Sequence, residues 1–219
     1  MHGYLSDSKI FYKQINYFKK YFEVYLLDLK GFGENENMDY PYSLSDYSKD
    51  VETFIKQNNI VGTSVIAHSF GGRIVIDLAS KNPKLFSKIV LTGSAGLKPK
   101  RKIKYRLKKL IFKFLKIFIK KEKLSCFYSS DYNKLSPIMK ESFKKIINEH
   151  LDEKLKYIKN KTLIINGELD RETPPYMAKR LNQGIENSTL KFIKGAGHFS
   201  FIDKPYEFNR EVGEFLLSN

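Results

Sequence analysis

Short apolar runs alternate with stretches of helical periodicity along most of the chain. Each apolar run is about four to six residues long and is flanked by polar or turn residues, which is typical of a buried strand. The predicted strands are Phe22–Leu27, Ser64–Ala67, Ser87–Thr92, Thr162–Ile165 and Leu190–Ile193. The predicted helices between and after them are Leu44–Asn58, Ile74–Ser80, Pro175–Gln183 and Phe208–Leu217. This alternation predicts an α/β fold, in which helices cover both faces of a mostly parallel sheet.

Residues 97–155 interrupt the alternation and indicate an all-helical insertion. In its first half, apolar residues recur at intervals of three and four with lysines on the opposite face, which predicts an amphipathic helix. Two further helices are predicted at Pro137–Ile147 and Asp152–Ile158. We therefore expect a core formed by residues 1–96 and 156–219, with residues 97–155 as a helical lid.

The formal net charge of +15 is concentrated in that insertion. Residues 98–123 hold 13 Lys or Arg and one acid, Glu122, so the rest of the chain is nearly neutral. The favoured interpretation is that these lysines are solvated and that the apolar face of their helix covers a site in the core. Weak contact with an anionic membrane surface is the alternative. Nucleic-acid binding is disfavoured, because no recognised module is present and the aromatic residues fall in the apolar stripe.

The sharpest chemical motif is Ala67-His68-Ser69-Phe70-Gly71-Gly72, which lies between a predicted strand and a predicted helix. A serine on such a strained turn projects its hydroxyl above the sheet. The turn needs small residues two before and two after the serine, and Ala67 and Gly71 meet that need. A serine hydroxyl is a poor nucleophile without a base, and the base needs an orienting carboxylate. The motif therefore predicts Ser69 as a nucleophile.

The expected chain order after such a serine is an acid and then a histidine. Asp170 follows the fourth predicted strand and His198 follows the fifth, so both lie at the carboxyl ends of strands, where α/β sheets bind ligands. The sequence leaves Glu168 and Glu172 open as rival carboxylates. The predicted catalytic residues are Ser69, Asp170 and His198.

The other histidines and the single cysteine point to no metal or redox chemistry. We expect His68 to be structural beside the serine turn and His150 to be exposed. No two histidines have the spacing of a helical metal site. Cys126 is alone and cannot form an internal disulfide. The sequence therefore predicts neither a metal nor a cofactor.

On these residues, the chain resembles the α/β-hydrolase superfamily, particularly its lidded bacterial esterases and carbon–carbon-bond hydrolases. The segments that carry the resemblance are His2-Gly3-Tyr4, Asp28–Gly33, Ala67–Arg73, Gly93–Gly96, Gly167–Asp170 with Pro174, and Gly195–Phe201. The resemblance implies an α/β-hydrolase fold with a lid at 97–155. It also implies an oxyanion hole formed by the backbone N–H groups of Phe70 and Tyr4.

The N-terminal region departs from the family pattern. In the family, the His-Gly motif follows a strand that lies between the two that here read Phe22–Leu27 and Ser64–Ala67. That strand and the two before it are missing ahead of His2, so we expect a central gap with unpaired backbone groups. We therefore expect that the reading frame starts upstream or that this is a truncated form.

The residues predict a serine hydrolase that cleaves a small, apolar carboxylic ester through an acyl-enzyme intermediate. Cleavage of a carbon–carbon bond in a vinylogous diketone, as in hydrolases of the meta-cleavage type, uses the same triad and stays open. A non-catalytic binding protein on this fold is the rival class, although it would have no need for all three residues. The longest apolar run is too short for a bilayer span, and no signal-peptide pattern is present. We therefore expect a cytoplasmic protein that acts on a small molecule, with its oligomeric state open.

Overall fold

The computed structural model describes residues 1–100 and 135–218. Within those ranges, the centre of the protein is a parallel sheet of four strands in the order β1-β2-β3-β4. The strands are β1 (Thr63–His68), β2 (Phe86–Thr92), β3 (Lys161–Gly167) and β4 (Ser188–Ile193). Because all four run in the same direction, their carboxyl ends meet at one edge of the sheet.

Helices follow the strands in the alternation that the sequence predicts. The α-helices of the described ranges are α1 (Tyr12–Phe18), α2 (Leu44–Gln57), α3 (Phe70–Lys81), α4 (Pro137–Asn148), α5 (Pro175–Gly184), α6 (Ser200–Asp203) and α7 (Pro205–Leu217). Short 3₁₀ helices span Ser8–Phe11, Pro83–Leu85 and Asp152–Tyr157. The predicted α/β fold is confirmed, and four of the five predicted strands form. None of these helices is long and apolar enough to cross a membrane.

Each strand sends alternate residues to opposite faces, so the sheet supports two apolar clusters. In β2, Ile89 and Leu91 pack with α2 and α3, whereas Val90 packs with α1 and α7. In β3, Ile164 belongs to the first cluster and Leu163 to the second. All five side chains are at most 3% exposed. Both faces of the sheet are therefore covered, as a parallel sheet requires.

The second half of the expected lid is docked on the core. Helix α4 begins at Pro137, where the Ser136 hydroxyl accepts a hydrogen bond from the backbone N–H of Met139. At its other end, the buried Arg73 guanidinium donates to the carbonyls of Ile146 and Glu149. The predicted helix at 137–147 therefore forms, whereas the one predicted at 152–158 is a 3₁₀ helix. The predicted amphipathic helix and nearly all of the basic segment 98–123 lie outside the described residues.

The strand predicted at Phe22–Leu27 is wrong. This segment pairs with no strand of the described chain, and its apolar residues Val24, Tyr25 and Leu26 are 38–45% exposed. An apolar run of this length is typical of a buried strand, but a strand also needs a neighbouring backbone with which to form hydrogen bonds. No such backbone lies beside the segment among the described residues.

The strand β1 lies at one edge of the sheet, facing that segment. The backbone of Met1 lies beside the carboxyl end of β1. The Met1 amino group donates to the Ile66 carbonyl at 2.7 Å, and the Met1 carbonyl accepts the His68 N–H at 3.0 Å. The rest of the edge borders an apolar groove of about 230 Å³, which β1, α1, α2 and residues 22–27 line. The groove therefore separates β1 from the segment 22–27.

Candidate active site

Ser69 lies at the turn between β1 and α3, at the carboxyl edge of the sheet. Its backbone has φ 48° and ψ −106°, a left-handed conformation that a side chain rarely adopts. Two hydrogen bonds hold this geometry. The Ser69 N–H donates to the Thr92 carbonyl at 3.1 Å, and the Ser69 carbonyl accepts from the Ala95 N–H at 3.1 Å. The strain is therefore maintained by the end of the neighbouring strand, which is typical of a functional turn.

Glycines bring other backbone segments close to this turn. A Cβ on Gly71 would come within 2.8 Å of the carbonyl oxygens of Met1 and His2, and a Cβ on Gly3 would lie 3.2 Å from Ser69 Cβ. The Gly71 N–H donates to the His2 carbonyl at 3.1 Å. The sequence requirement for small residues thus has a direct cause, because the N-terminal segment passes against the serine turn.

Asp170 and His198 are paired, although 28 residues separate them in the chain. Nδ1 of His198 donates to Oδ2 of Asp170 at 2.9 Å. The Asp170 side chain is completely buried, and that of His198 is 13% exposed. This hydrogen bond fixes the proton of the neutral imidazole on Nδ1 and leaves Nε2 as the basic nitrogen.

The surroundings of Asp170 keep its carboxylate ionised. Burial alone would raise its pKa, but the hydrogen bond and charge of His198 and the hydrogen bonds from Thr173 outweigh burial and lower the pKa below the ordinary value. Thr173 donates both its hydroxyl, at 2.8 Å, and its backbone N–H, at 2.9 Å. The rival carboxylates Glu168 and Glu172 are exposed. Of the three acids that the sequence leaves open, Asp170 is therefore the one that the fold pairs with the histidine.

Two loops cross to make this pairing. The loop after β3 carries Asp170 and the loop after β4 carries His198, and the Leu169 N–H donates to the Ala196 carbonyl at 2.9 Å. At the crossing lies Gly167, where a Cβ would overlap the carbonyl oxygens of Ala196 and Gly197. The absence of a side chain at this position is what allows the two loops to approach.

His68 joins the serine turn to the histidine loop. Its ring centroid lies 4.6 Å from that of His198, and its Nε2 lies 3.1 Å from the His198 carbonyl. Burial, followed by the charge of His198, lowers the His68 pKa to about 3, so the ring is neutral and donates from Nε2. His68 directly precedes Ser69, so this ring contact brings the serine turn next to the His198 imidazole. In the described structure, no hydrogen bond joins the Ser69 hydroxyl to that imidazole. Such hydrogen bonds are often long without substrate and shorten when it binds.

The N-terminal segment is anchored by the side chain of His2. This buried imidazole accepts the Leu29 N–H at Nε2, at 3.0 Å, and donates from Nδ1 to the Gly3 carbonyl at 2.7 Å. Burial lowers its pKa below the ordinary value, which keeps the ring neutral. Both contacts fix the Gly3–Tyr4 peptide beside Ser69. Sequence reasoning placed His2 in a motif but did not find this role, and it also missed Thr173.

Aromatic side chains pack around Phe70, the residue that follows the serine. The Tyr4 ring packs against Phe70 and Phe143, with centroids 5.4 and 5.0 Å apart, and the Tyr4 hydroxyl donates to the Met139 carbonyl at 2.9 Å. Helix α4 therefore contacts the same apolar surface as the residue after the serine. Among the residues that the structure describes, no group of three or more potential metal ligands occurs.

Comparison with known proteins shows the family to which the chain belongs. The model for the alpha/beta hydrolase fold matches residues 1–120 and 110–205. The chain belongs to the α/β-hydrolase family. Within it, the chain is 25% identical over 247 residues to the uncharacterised hydrolase YugF of Bacillus subtilis, with 99% of this chain and 88% of that protein aligned.

Two further comparisons show the range of similar proteins. A 2-hydroxymuconate semialdehyde hydrolase of Pseudomonas putida is 25% identical over 214 residues, covering 86% of this chain and 75% of that protein. The esterase EaEST of Exiguobacterium antarcticum superposes with a TM-score of 0.79 at 21% identity, over 100% of this chain and 90% of the esterase. At 21% identity, the likeness to the esterase shows a shared fold and no more. The family assigns this chain to the α/β hydrolases.

Proposed function

We propose that this α/β-hydrolase is a serine hydrolase that cleaves a small, apolar carboxylic ester through an acyl-enzyme intermediate. The observation that carries the proposal is the 2.9 Å hydrogen bond between the buried Asp170 carboxylate and His198 Nδ1. It leaves Nε2 of His198 as a base, next to the strained turn that presents Ser69. These are the groups that nucleophilic catalysis by a serine requires.

The first half of the reaction forms the acyl-enzyme. Nε2 of His198 takes the Ser69 proton as Oγ attacks the ester carbonyl, and Asp170 stabilises the imidazolium that forms. The carbon–oxygen bond to the alcohol then breaks, and His198 returns the proton to the leaving alkoxide. In the second half, His198 deprotonates a water molecule that attacks the acyl carbon, and the carboxylic acid is released as Ser69 recovers its proton.

The developing oxyanion needs donors on the far side of the carbonyl, and we assign this role to the backbone N–H groups of Phe70 and Tyr4. Phe70 is the first residue of α3, so its N–H has no carbonyl partner within the helix. His2 fixes the peptide that carries the Tyr4 N–H. In enzymes of this type, one such donor contributes roughly 3–4 kcal/mol to transition-state stabilisation.

The aromatic cluster of Tyr4, Phe70 and Phe143, in which Phe70 directly follows Ser69, supports an apolar acyl or alcohol group as the substrate's recognition element. A charged group placed there would lose its hydration without gaining a partner of opposite charge. We therefore expect short-chain aliphatic or aryl esters to react faster than charged ones of similar size.

The direct test is substitution of the nucleophile. Ser69→Ala should abolish both hydrolysis of a p-nitrophenyl ester and covalent labelling by a fluorophosphonate probe. Ser87→Ala, which changes an exposed serine on β2, is the matched control and should retain both. Labelling of Ser69→Ala at the rate of the unaltered protein would contradict the proposal. An unaltered, folded protein that takes no label would favour the non-catalytic binding protein instead.

Carbon–carbon-bond hydrolysis is the second candidate function. It is favoured by the likeness to the 2-hydroxymuconate semialdehyde hydrolase of Pseudomonas putida, which covers 86% of this chain. Turnover of a vinylogous 1,5-diketone can be followed by the loss of its absorbance, in parallel with ester hydrolysis. A kcat/KM at least about tenfold higher for the diketone would assign the chain to this second reaction, since tenfold corresponds to about 1.4 kcal/mol of transition-state preference.

A further inference from the structure

We propose that the side chain of Tyr4 is a positioning group, through which helix α4 holds the peptide that carries the Tyr4 N–H. This role rests on the proposed function, in which that N–H is a donor to the oxyanion. Three features support it: the contacts of Tyr4 with α4, the hydrogen bonds that hold α4 on the core, and the backbone on either side of Tyr4.

The Tyr4 side chain lies between the serine turn and the first half of α4. Its hydroxyl donates to the Met139 carbonyl at 2.9 Å, and its ring centroid lies 5.0 Å from that of Phe143, about one helical turn further along α4. The same ring packs edge-on against Phe70, at 5.4 Å between centroids. Tyr4 therefore bridges α4 and the residue that follows Ser69.

Helix α4 is itself held on the core by hydrogen bonds. The buried Ser142 hydroxyl accepts the Tyr42 N–H at 2.7 Å. At the carboxyl end of α4, the Arg73 guanidinium donates to two backbone carbonyls and so joins this helix to α3. The Met139 carbonyl therefore has a defined position, and a hydrogen bond to it can fix the Tyr4 side chain.

The backbone around Tyr4 requires such a constraint. Before Tyr4, the His2 imidazole holds the Gly3 carbonyl. After it, Leu5 has φ 60°, a left-handed conformation that is disfavoured for leucine and persists only where surrounding contacts impose it. The Leu5 side chain is 49% exposed and supplies little packing of its own. The contacts of the preceding Tyr4 with α4 supply this constraint.

A second tyrosine provides a matched comparison. Tyr47 on α2 also packs edge-on against Phe70, with ring centroids 4.9 Å apart. Its buried hydroxyl has no hydrogen-bond partner among the described residues. Tyr47→Phe therefore removes a hydroxyl from a ring in contact with Phe70 without breaking a hydrogen bond to α4, and it is the control for Tyr4→Phe.

Three measurements test the role of the Tyr4 hydroxyl. Steady-state hydrolysis of p-nitrophenyl butyrate separates kcat from KM. The inhibition constant of an aryl trifluoromethyl ketone reports how well a tetrahedral oxyanion adduct is stabilised. NMR relaxation gives the order parameter of the backbone N–H of residue 4, and this measurement does not depend on turnover.

Tyr4→Phe should lower kcat about fivefold and leave KM within about twofold, because the affected donor acts in the transition state. Binding of the ketone should weaken by about the same factor. The order parameter of the residue 4 N–H should fall from about 0.85 to below about 0.7. Tyr47→Phe should leave all three measurements unchanged.

A second variant tests whether α4 acts through Tyr4. Ser142→Ala removes the acceptor of the Tyr42 N–H and loosens α4 on the core. It should lower kcat about threefold in the unaltered protein, but less than about 1.5-fold further in Tyr4→Phe, because both changes act on the same peptide.

Equal kcat values in Tyr4→Phe and Tyr47→Phe, or an unchanged order parameter at residue 4, would overturn the proposed role. A rise in KM without a fall in kcat would do the same, since it would make Tyr4 part of the apolar surface only. So would fully additive effects of Ser142→Ala and Tyr4→Phe. A folded, unaltered protein that hydrolyses no ester would contradict the proposed function instead, and the order parameter would still decide whether α4 positions residue 4.

Discussion

The two ends of β1 have opposite character. At its carboxyl end, the backbone from His68 to Ser69 is bonded to Met1, to the Thr92 carbonyl and, through the His68 ring, to the His198 loop. At its amino end, residues 63–66 border an apolar groove and the exposed segment 22–27. The contrast indicates that the candidate site is held by hydrogen bonds between loops at the carboxyl edge of the sheet. The amino end of β1 contributes few such contacts. We therefore expect substitutions in the crossing loops to lower kcat or the free energy of unfolding strongly. Substitutions in the groove should change the free energy of unfolding only slightly.

The largest effect should follow from changing the carboxylate that orients His198. Asp170→Asn keeps the shape but donates from an amide where the histidine needs an acceptor, so the imidazole proton moves to the wrong nitrogen. We expect kcat for an ester to fall by roughly 10⁴-fold, the loss found for this change in a serine protease. Glu168→Gln, at an exposed rival acid, should change kcat less than about twofold. Equal losses in the two variants would remove Asp170 from its proposed role.

Next in size is the effect of filling the space where the two loops cross. In Gly167→Ala, the new Cβ would overlap the carbonyls of Ala196 and Gly197 and push the His198 loop away. We expect the free energy of unfolding to fall by about 3 kcal/mol. In the matched control, Gly197→Ala, the nearest atom to the Cβ lies 3.4 Å away, at Asp203. Its cost should stay below about 1 kcal/mol, as chemical denaturation would show; similar costs in both variants would mean that the loops can move apart freely.

The amino group of Met1 should make stability depend on pH. Its pKa is about 5 in the folded protein and 8.0 in the reference state, so between these values the unfolded chain binds a proton that the folded chain does not. Stability therefore rises with pH in this window and levels off above pH 8. His2 and His68, whose pKa values are also lowered, contribute only below about pH 6.5.

Between pH 7 and 9, the amino group alone should add about 1.4 kcal/mol to the free energy of unfolding. Acetylation of the N-terminus removes the charge and should abolish this rise. Urea unfolding at pH 7, 8 and 9 measures it. A rise that persists after acetylation would assign the pH dependence to other groups.

The smallest effect should come from the groove. Val24 is 38% exposed, so Val24→Ala should cost less than about 0.5 kcal/mol. The same change at Val90, which is fully buried in β2, should cost about 2–3 kcal/mol. Urea unfolding measures both costs. Equal costs at the two positions would contradict the exposed position of Val24.

Sequence patterns predicted those strands, helices and turns that depend mainly on their own residues. Apolar runs between turn residues located β1 to β4. The composition is most telling for β2 and β3, which are mostly buried. The helix at 137–147 was found from its spacing of apolar residues, and the serine turn from its small neighbours. The segment 22–27 has the same apolar composition as the true strands, yet it forms none, because strand formation depends on a second backbone that the pattern of one segment does not contain.

By itself, the sequence determined the α/β alternation, the position of the serine turn and the chain order of Ser69, Asp170 and His198. Only the tertiary structure decided which of three neighbouring acids faces His198, since that depends on where Gly167 lets two loops cross. It also decided that His2 fixes the Gly3–Tyr4 peptide and that the edge of β1 stays open. The physical reason is the same in each case. Composition and spacing report local burial and backbone preference, whereas pairing is settled by hydrogen bonds between segments that are distant in the chain.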